Sequence, residues 1–203
     1  MRPLHTKVLT PMDATIAAGG GIVIAQIPSD DWEQEPSTAS WRVRAAGHEL
    51  SASSRKNIAP GLELFDIGDI AGEVRLESDK HDVLVRAFAS DKVADLAAPQ
   101  VRSVVYGSSG GRRPVMTITA AFTAKAPAHA IALVAFGEDG TARSFGLVKP
   151  GDTGVVIFSS GGCQTQPAGI VMSSPGQEIQ LAWVADSGRL SKKSPKIQIT
   201  ARR

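Results

Sequence analysis

The chain has 203 residues, 42% of them apolar and 21% charged, with 22 Lys and Arg against 20 Asp and Glu. That composition belongs to a globular protein long enough for one large or two small domains, and it excludes a low-complexity chain. It also excludes an internal disulfide, since Cys163 is the single cysteine, and no apolar run approaches the ~18–20 residues of a membrane span.

Taken in chain order, the first half offers short β-branched or alternating runs at 6–9, 21–27, 39–45, 62–66, 72–77 and 82–89. In 72–77, Val74 and Leu76 alternate with Glu73, Arg75 and Glu77, the pattern of a half-solvated strand. A short helix is the alternative to an extended linker at 90–98, SDKVADLAA, which opens on a capping Ser90 and stops at Pro99. The second half offers strands at 101–106, 115–124, 130–136, 142–148, 154–159, 168–172, 178–185 and 196–200. Between them, GEDG at 137–140 predicts a hairpin in which Asp139 and Gly140 supply positive φ angles. KPGD at 149–152 and SSPGQ at 173–177 carry the Pro-Gly pair of type II turns. No βαβ alternation is present, so the fold class is all-β, as two tandem antiparallel β-sandwiches.

Charge supports the division. Residues 1–97 carry 10 Lys and Arg against 15 Asp and Glu, whereas residues 98–203 carry 12 against 5. An acidic domain over 1–95 and a basic domain over 96–203 are expected, with the boundary inside 89–99.

The tail 178–200, EIQLAWVADSGRLSKKSPKIQIT, resembles the last two strands of fibronectin type III and related bacterial Ig-like modules. Ala185, Asp186, Gly188 and Ser191 match their Ala-x-Asp-x-x-Gly-x-x-Ser loop in compressed form, and Ile197 and Ile199 would face inward on the last strand. Where those modules place a tyrosine on the penultimate strand, Leu181 or Trp183 stands here. The opening LTPMDATIAAGGGIVI at 9–24 is similar to their Pro-led first strands. The resemblance implies Ig-like sandwiches serving as non-enzymatic binding or structural modules, in a bacterial envelope or secreted context. MRPLHTKVLTP at the N-terminus has no apolar stretch of a signal peptide, so an extracellular or periplasmic site assumes one already removed, and a cytoplasmic one stays open.

Several constellations bear on chemistry. GDTG at 151–154 resembles the GDSG of trypsin-like proteases with Thr153 in the nucleophile's place. Threonine is the wrong nucleophile for that class, and neither His48 nor His129 has the flanking residues of its general base. Cys163, in SGGCQTQPAG, has no charged residue between Asp152 and Glu178 to lower its pKa, and reads as a loop thiol. A hydrolase through Thr153 or Cys163 is the last-ranked alternative, and no catalytic residue is assigned.

Metal binding is the first alternative. The histidines have no HxH or HxxxH spacing, but a strand would place Asp79 and His81 on one face, and His5 lies near Met12. Some periplasmic copper-binding sandwiches are similar, combining an N-terminal His with a distant Asp/His pair, which makes His5, Asp79 and His81 the candidate ligands. No cofactor is expected on the leading reading. Trp32 and Trp41 bracket the acidic DWEQEPSTASW and are the candidate ligand-binding residues, suited to stacking a sugar or lining a peptide groove. Trp183, and Trp41 by its alternating neighbours, also read as core residues. Expected partners are therefore a protein, peptide or glycan. Nucleic acid is not expected, because no aromatic platform interleaves with Arg112, Arg113, Lys192, Lys193 and Lys196.

Overall fold

The computed structural model describes residues 15–16, 19–26, 42–50, 54–77, 83–88, 95–109, 115–161 and 175–202. Among these the named elements are all strands, fifteen of them, and there is no α-helix. The chain divides into two compact units, Met1–Val93 with Asp186–Gly188, and Ala94–Ala185 with Arg189–Arg203.

The first unit contains β1 (Thr15–Ile16), β2 (Gly21–Gln26), β3 (Arg42–Ala45), β4 (His48–Glu49), β5 (Arg55–Ala59), β6 (Leu62–Asp66), β7 (Gly72–Glu77) and β8 (Val83–Phe88). They form two four-stranded sheets, ordered β5-β6-β2-β8 and β1-β7-β3-β4. Strand β2 lies at the centre of the first, with Ile24 opposite Glu63 of β6 on one side and Val85 of β8 on the other. Its continuous apolar run Ile22, Val23, Ile24 and Ala25 is buried on both faces. Ile22, Ile24, Phe65 and Val85 cluster with Val43 from the second sheet and with Ile67. Glu63 is buried, and its charge is matched by Arg55 across the β5–β6 ladder, where the Arg55 guanidinium also lies 5.9 Å from the Phe65 ring centroid. Strands β3 and β4 turn through Ala46 and Gly47, with φ of 48° and 81°, a type I′ pair.

The second unit contains β9 (Val101–Ser109), β10 (Val115–Phe122), β11 (Ala130–Phe136), β12 (Ala142–Leu147), β13 (Gly154–Gly161), β14 (Glu178–Ala185) and β15 (Ile197–Ala201). They form one seven-stranded sheet ordered β12-β11-β14-β15-β9-β10-β13. Its two end strands, β12 and β13, approach each other, so the sheet is nearly closed and barrel-like. Strand β11 is buried along its whole length. Core side chains come from six of the seven strands, all but β12: Val104, Ile118, Leu133, Ile157, Leu181 and Ile199 each expose 1% or less. Phe122 and Trp183 sit among them with ring centroids 4.7 Å apart, tilted at 51°.

Two expectations need correcting, and one open reading is decided. The sheet is not wholly antiparallel: β15 pairs with β9 in parallel, Ile199 opposite Val104, Thr200 opposite Val105 and Ala201 opposite Tyr106. The cause is topological, since the first and last strands of the unit run the same way and meet. Of the two readings of 90–98, the described part, 95–98, has no helix, as the linker reading has it. The hairpin at 137–140 exists, but only Gly140 has positive φ, at 77°. Gly140 N–H donates to Gly137 O at 2.9 Å and Gly137 N–H to Thr141 O at 2.9 Å, a three-residue loop of a type I turn followed by a left-handed glycine.

Two substitutions follow from this packing. Phe122→Ala removes the ring against Trp183 and lowers the stability of the second unit by about 3–5 kcal/mol, read from its denaturation midpoint. Ala46→Asn relieves a left-handed alanine and raises the first unit's stability by about 0.5–1 kcal/mol in the same assay.

Candidate functional site

Of the candidates picked from the sequence, His5, Trp32, Trp41, Asp79, His81 and Cys163 lie outside the described residues. Thr153 is described, in an exposed bend before β13, and its carbonyl accepts the Phe122 N–H at 2.9 Å. The preceding turn closes on itself: Asp152 N–H donates to Lys149 O at 3.1 Å, and Asp152 Oδ2 accepts the Lys149 N–H at 2.9 Å. Gly151 has φ of 88°, as the third position of a type II turn requires. Thr153 thus closes a turn. His48 and His129 are exposed, on β4 and in the turn before β11. Among the described residues, no three His, Cys, Asp or Glu side chains gather in a way that could hold a metal ion.

The structure gathers polar chemistry elsewhere, where the β11–β12 hairpin meets the loop before β15. Asp139 Oδ1 accepts bonds from the Thr141 hydroxyl at 2.7 Å and the Thr141 N–H at 3.0 Å, and its Oδ2 accepts the Arg143 guanidinium at 2.6 Å. The Thr141 hydroxyl, the Thr141 amide and the Arg143 charge together hold the Asp139 carboxyl below the usual carboxylate range. Lys193 places its ammonium 3.9 Å from the Phe136 ring centroid and donates to Gly140 O at 3.2 Å. Glu138 Oε1 accepts the Glu178 N–H at 3.2 Å, and the Glu178 carboxylate lies 3.6 Å from Lys196. Further along, Arg189 pairs with Asp95 at 2.9 Å. These charges bind one another and fasten the hairpin to the loop.

Two serines hold that loop against β14: Ser191, which closes the tail motif, and Ser194, which no sequence signal singles out. Ser191 and Ser194 donate their N–H groups to Trp183 O and Leu181 O, at 2.9 and 2.7 Å. Their hydroxyls accept in return the N–H groups of Trp183 and Leu181, at 2.9 and 3.0 Å. Ser194 is 1% exposed, so its hydroxyl does work that water cannot reach. Inside the sheet, the void lined by Ile118, Ala135, Phe136, Ile157, Ile179 and Ile199 amounts to about 10 Å³. That is the room of a single water.

No protein-family model matches the chain, and no curated protein matches it. Solved structures similar to it include the BSP domain of a biofilm-associated protein, at 14% identity and a TM-score of 0.30, over 93% of this chain and 29% of that one. The adhesin domain of Epf from Streptococcus pyogenes is 10% identical with a TM-score of 0.29, over 93% and 70%. A β-1,2-glucanase from Parabacteroides distasonis is 10% identical with a TM-score of 0.34, over 92% and 28%. The chain spans under a third of the first and third of these.

The Asp139 contacts set a direction for acid behaviour. A depressed carboxyl contributes stability that is present above its unfolded pKa and is lost as pH falls through the folded one. Followed by carboxyl carbon shifts, Asp139 titrates below the usual aspartate range, and Arg143→Gln and Thr141→Val each move the midpoint upward. Asp139→Asn removes that share of the acid dependence, so its unfolding curve and the parent's converge at the lowest pH.

Proposed function

We propose that the chain is a non-enzymatic binding or spacing module, built from Ig-like β-sandwich units and working in a bacterial envelope or secreted context. The observation that carries this reading is the filled interior of the second unit. The void there among the described residues, about 10 Å³, is too small for a ligand, which favours contact through surface loops and strand edges. Strand order supports the sandwich reading: within the seven-stranded sheet, β12-β11-β14-β15 and β9-β10-β13 are two antiparallel sets of the size of the two sheets of an Ig-type domain. The tail resemblance supports it too, since Ile199 is buried and Ile197 half-buried against the core. Thr153 at a self-closed turn weighs against a serine-protease-like site.

The partners proposed are a protein, peptide or glycan. The full chain, passed over glycan and peptide arrays with released products followed by mass spectrometry, is expected to be retained on one class without turnover. Silence on every array narrows the role to spacing. Product release abolished by Thr153→Ala or Cys163→Ser would overturn the reading in favour of a hydrolase.

A further inference from the structure

The seven-stranded sheet has one join that differs from the rest. Strands β12, β11, β14 and β15 follow one another antiparallel, as do β9, β10 and β13, and among the described residues the only strand ladder joining the two sets is the parallel β15–β9 pair. These two strands are also the first and the last of the unit. The chain therefore enters at one end of the pair, before Val101, and leaves at the opposite end, past Ala201.

Tension applied through those two ends pulls β9 and β15 in opposite directions along their common axis. The bonds of a parallel pair are evenly spaced and slant across the gap between the strands, so a pull along the strands loads the bonds of the pair together. A pull at one shared end would instead open the bonds in succession. Both ends of the load path are also fastened. At the entry, Thr123 donates its N–H and its hydroxyl to Gln100 O, at 2.8 and 3.2 Å, and Arg102 reaches Phe122 O at 3.1 Å. At the exit, Arg202 N–H donates to Tyr106 O at 2.8 Å, and the Thr200 hydroxyl donates to Val104 O at 3.2 Å. Between them Val104 and Ile199, opposite each other in the register, are each 1% exposed, so sliding the pair drags apolar side chains out of the core.

We propose that the second unit is a tension-bearing element, whose terminal strands form a shear-loaded clamp resisting force transmitted along the chain. The proposal goes beyond the binding reading and needs no ligand. Within the clamp β15 is the element that yields first. It is the shorter strand, five residues against nine, and its ladder to β14 holds only Gln198 opposite Glu178 and Ile197 opposite Ile179.

The test is single-molecule force spectroscopy on the full chain in a Cys163→Ser background, with paired cysteine handles. Handles at Gln100 and Arg202 load the pair in shear, and handles at Gln100 and Lys196 open it from one end; all three residues are exposed. Both pairs lie in the second unit, which keeps Met1–Val93 off the load path. The rupture force in the first geometry is expected to exceed the second by at least about twofold, since bonds sharing load fail together. Equal forces, or the reverse order, overturn the proposal. Thr200→Val deletes the hydroxyl bond to Val104 O while keeping side-chain shape. It is expected to lower the first force and leave the second unchanged; any other pattern overturns the assignment of Thr200 to the clamp. Matching near-ultraviolet circular dichroism across the variants confirms that each is folded, and the outcome is independent of whether any array ligand is found.

Discussion

The second unit depends on the parallel pairing of β9 with β15. Each set of antiparallel strands could be laid down by hairpins and short connections, but neither set closes around a core alone. The β9–β15 pair joins them and brings Val104 and Ile199 face to face beneath the join. Parallel pairs are slightly less stable per residue than antiparallel ones, and this one has few ladder positions. Burial makes up the difference: Ile118, Ile157, Leu133 and Leu181 can pack into one cluster only when the two sets are spliced.

The splice imposes a second demand, on β14. Only its first two residues ladder with β15, so the backbone groups of Leu181 and Trp183 on that edge need other partners, in a region with no water to supply them. The loop before β15 meets the need with two serines three residues apart. Each offers an amide to a β14 carbonyl and takes a β14 amide on its hydroxyl, so Ser191 and Ser194 act as a short strand without strand geometry. This gives a physical reason for a serine at the end of the Ala185–Ser191 loop. Trp183, whose backbone is held in this way, is the residue that packs its ring on Phe122, so backbone satisfaction and core packing meet at one position.

Local pattern was readable where one residue type does one job. Strands β6, β7, β11 and β14 have the bounds that alternation or continuous apolar runs predict, and the Pro-Gly pair at 149–152 makes the turn its chemistry requires. Strand β5, Arg55–Ala59, was invisible because Arg55, Lys56 and Asn57 look like loop residues; Arg55 is there to face the buried Glu63. The 137–140 turn departs from its predicted type because Asp139 is used for its side-chain bonds to Thr141 and Arg143, with no need of a left-handed backbone. The parallel pair was unreadable for a different reason. Val104 and Ile199 stand far apart along the chain, and no local periodicity carries a partner's direction. The same holds for Lys193 on Phe136, while the residues chosen for sites, Trp32, Trp41, His5, Asp79 and His81, lie outside the described residues.

Charge and architecture finally act on the same stretch of chain. Residues 98–203 hold 12 Lys and Arg against 5 Asp and Glu, so pairing inside that half can match at most five of its cations. Of those acids, Asp139 and Glu178 are used at the hairpin end, against Arg143 and Lys196. Exposed pairs of this kind contribute little to stability. Their effect is positional: with the Lys193 contacts they fasten the loop that carries Ser191 and Ser194, and through it the start of β15. A loop that swung free would leave the amides of Leu181 and Trp183 unsatisfied and loosen the strand that completes the splice. The excess positive charge is then a long-range field on a surface whose local geometry is already committed to holding β15 in place.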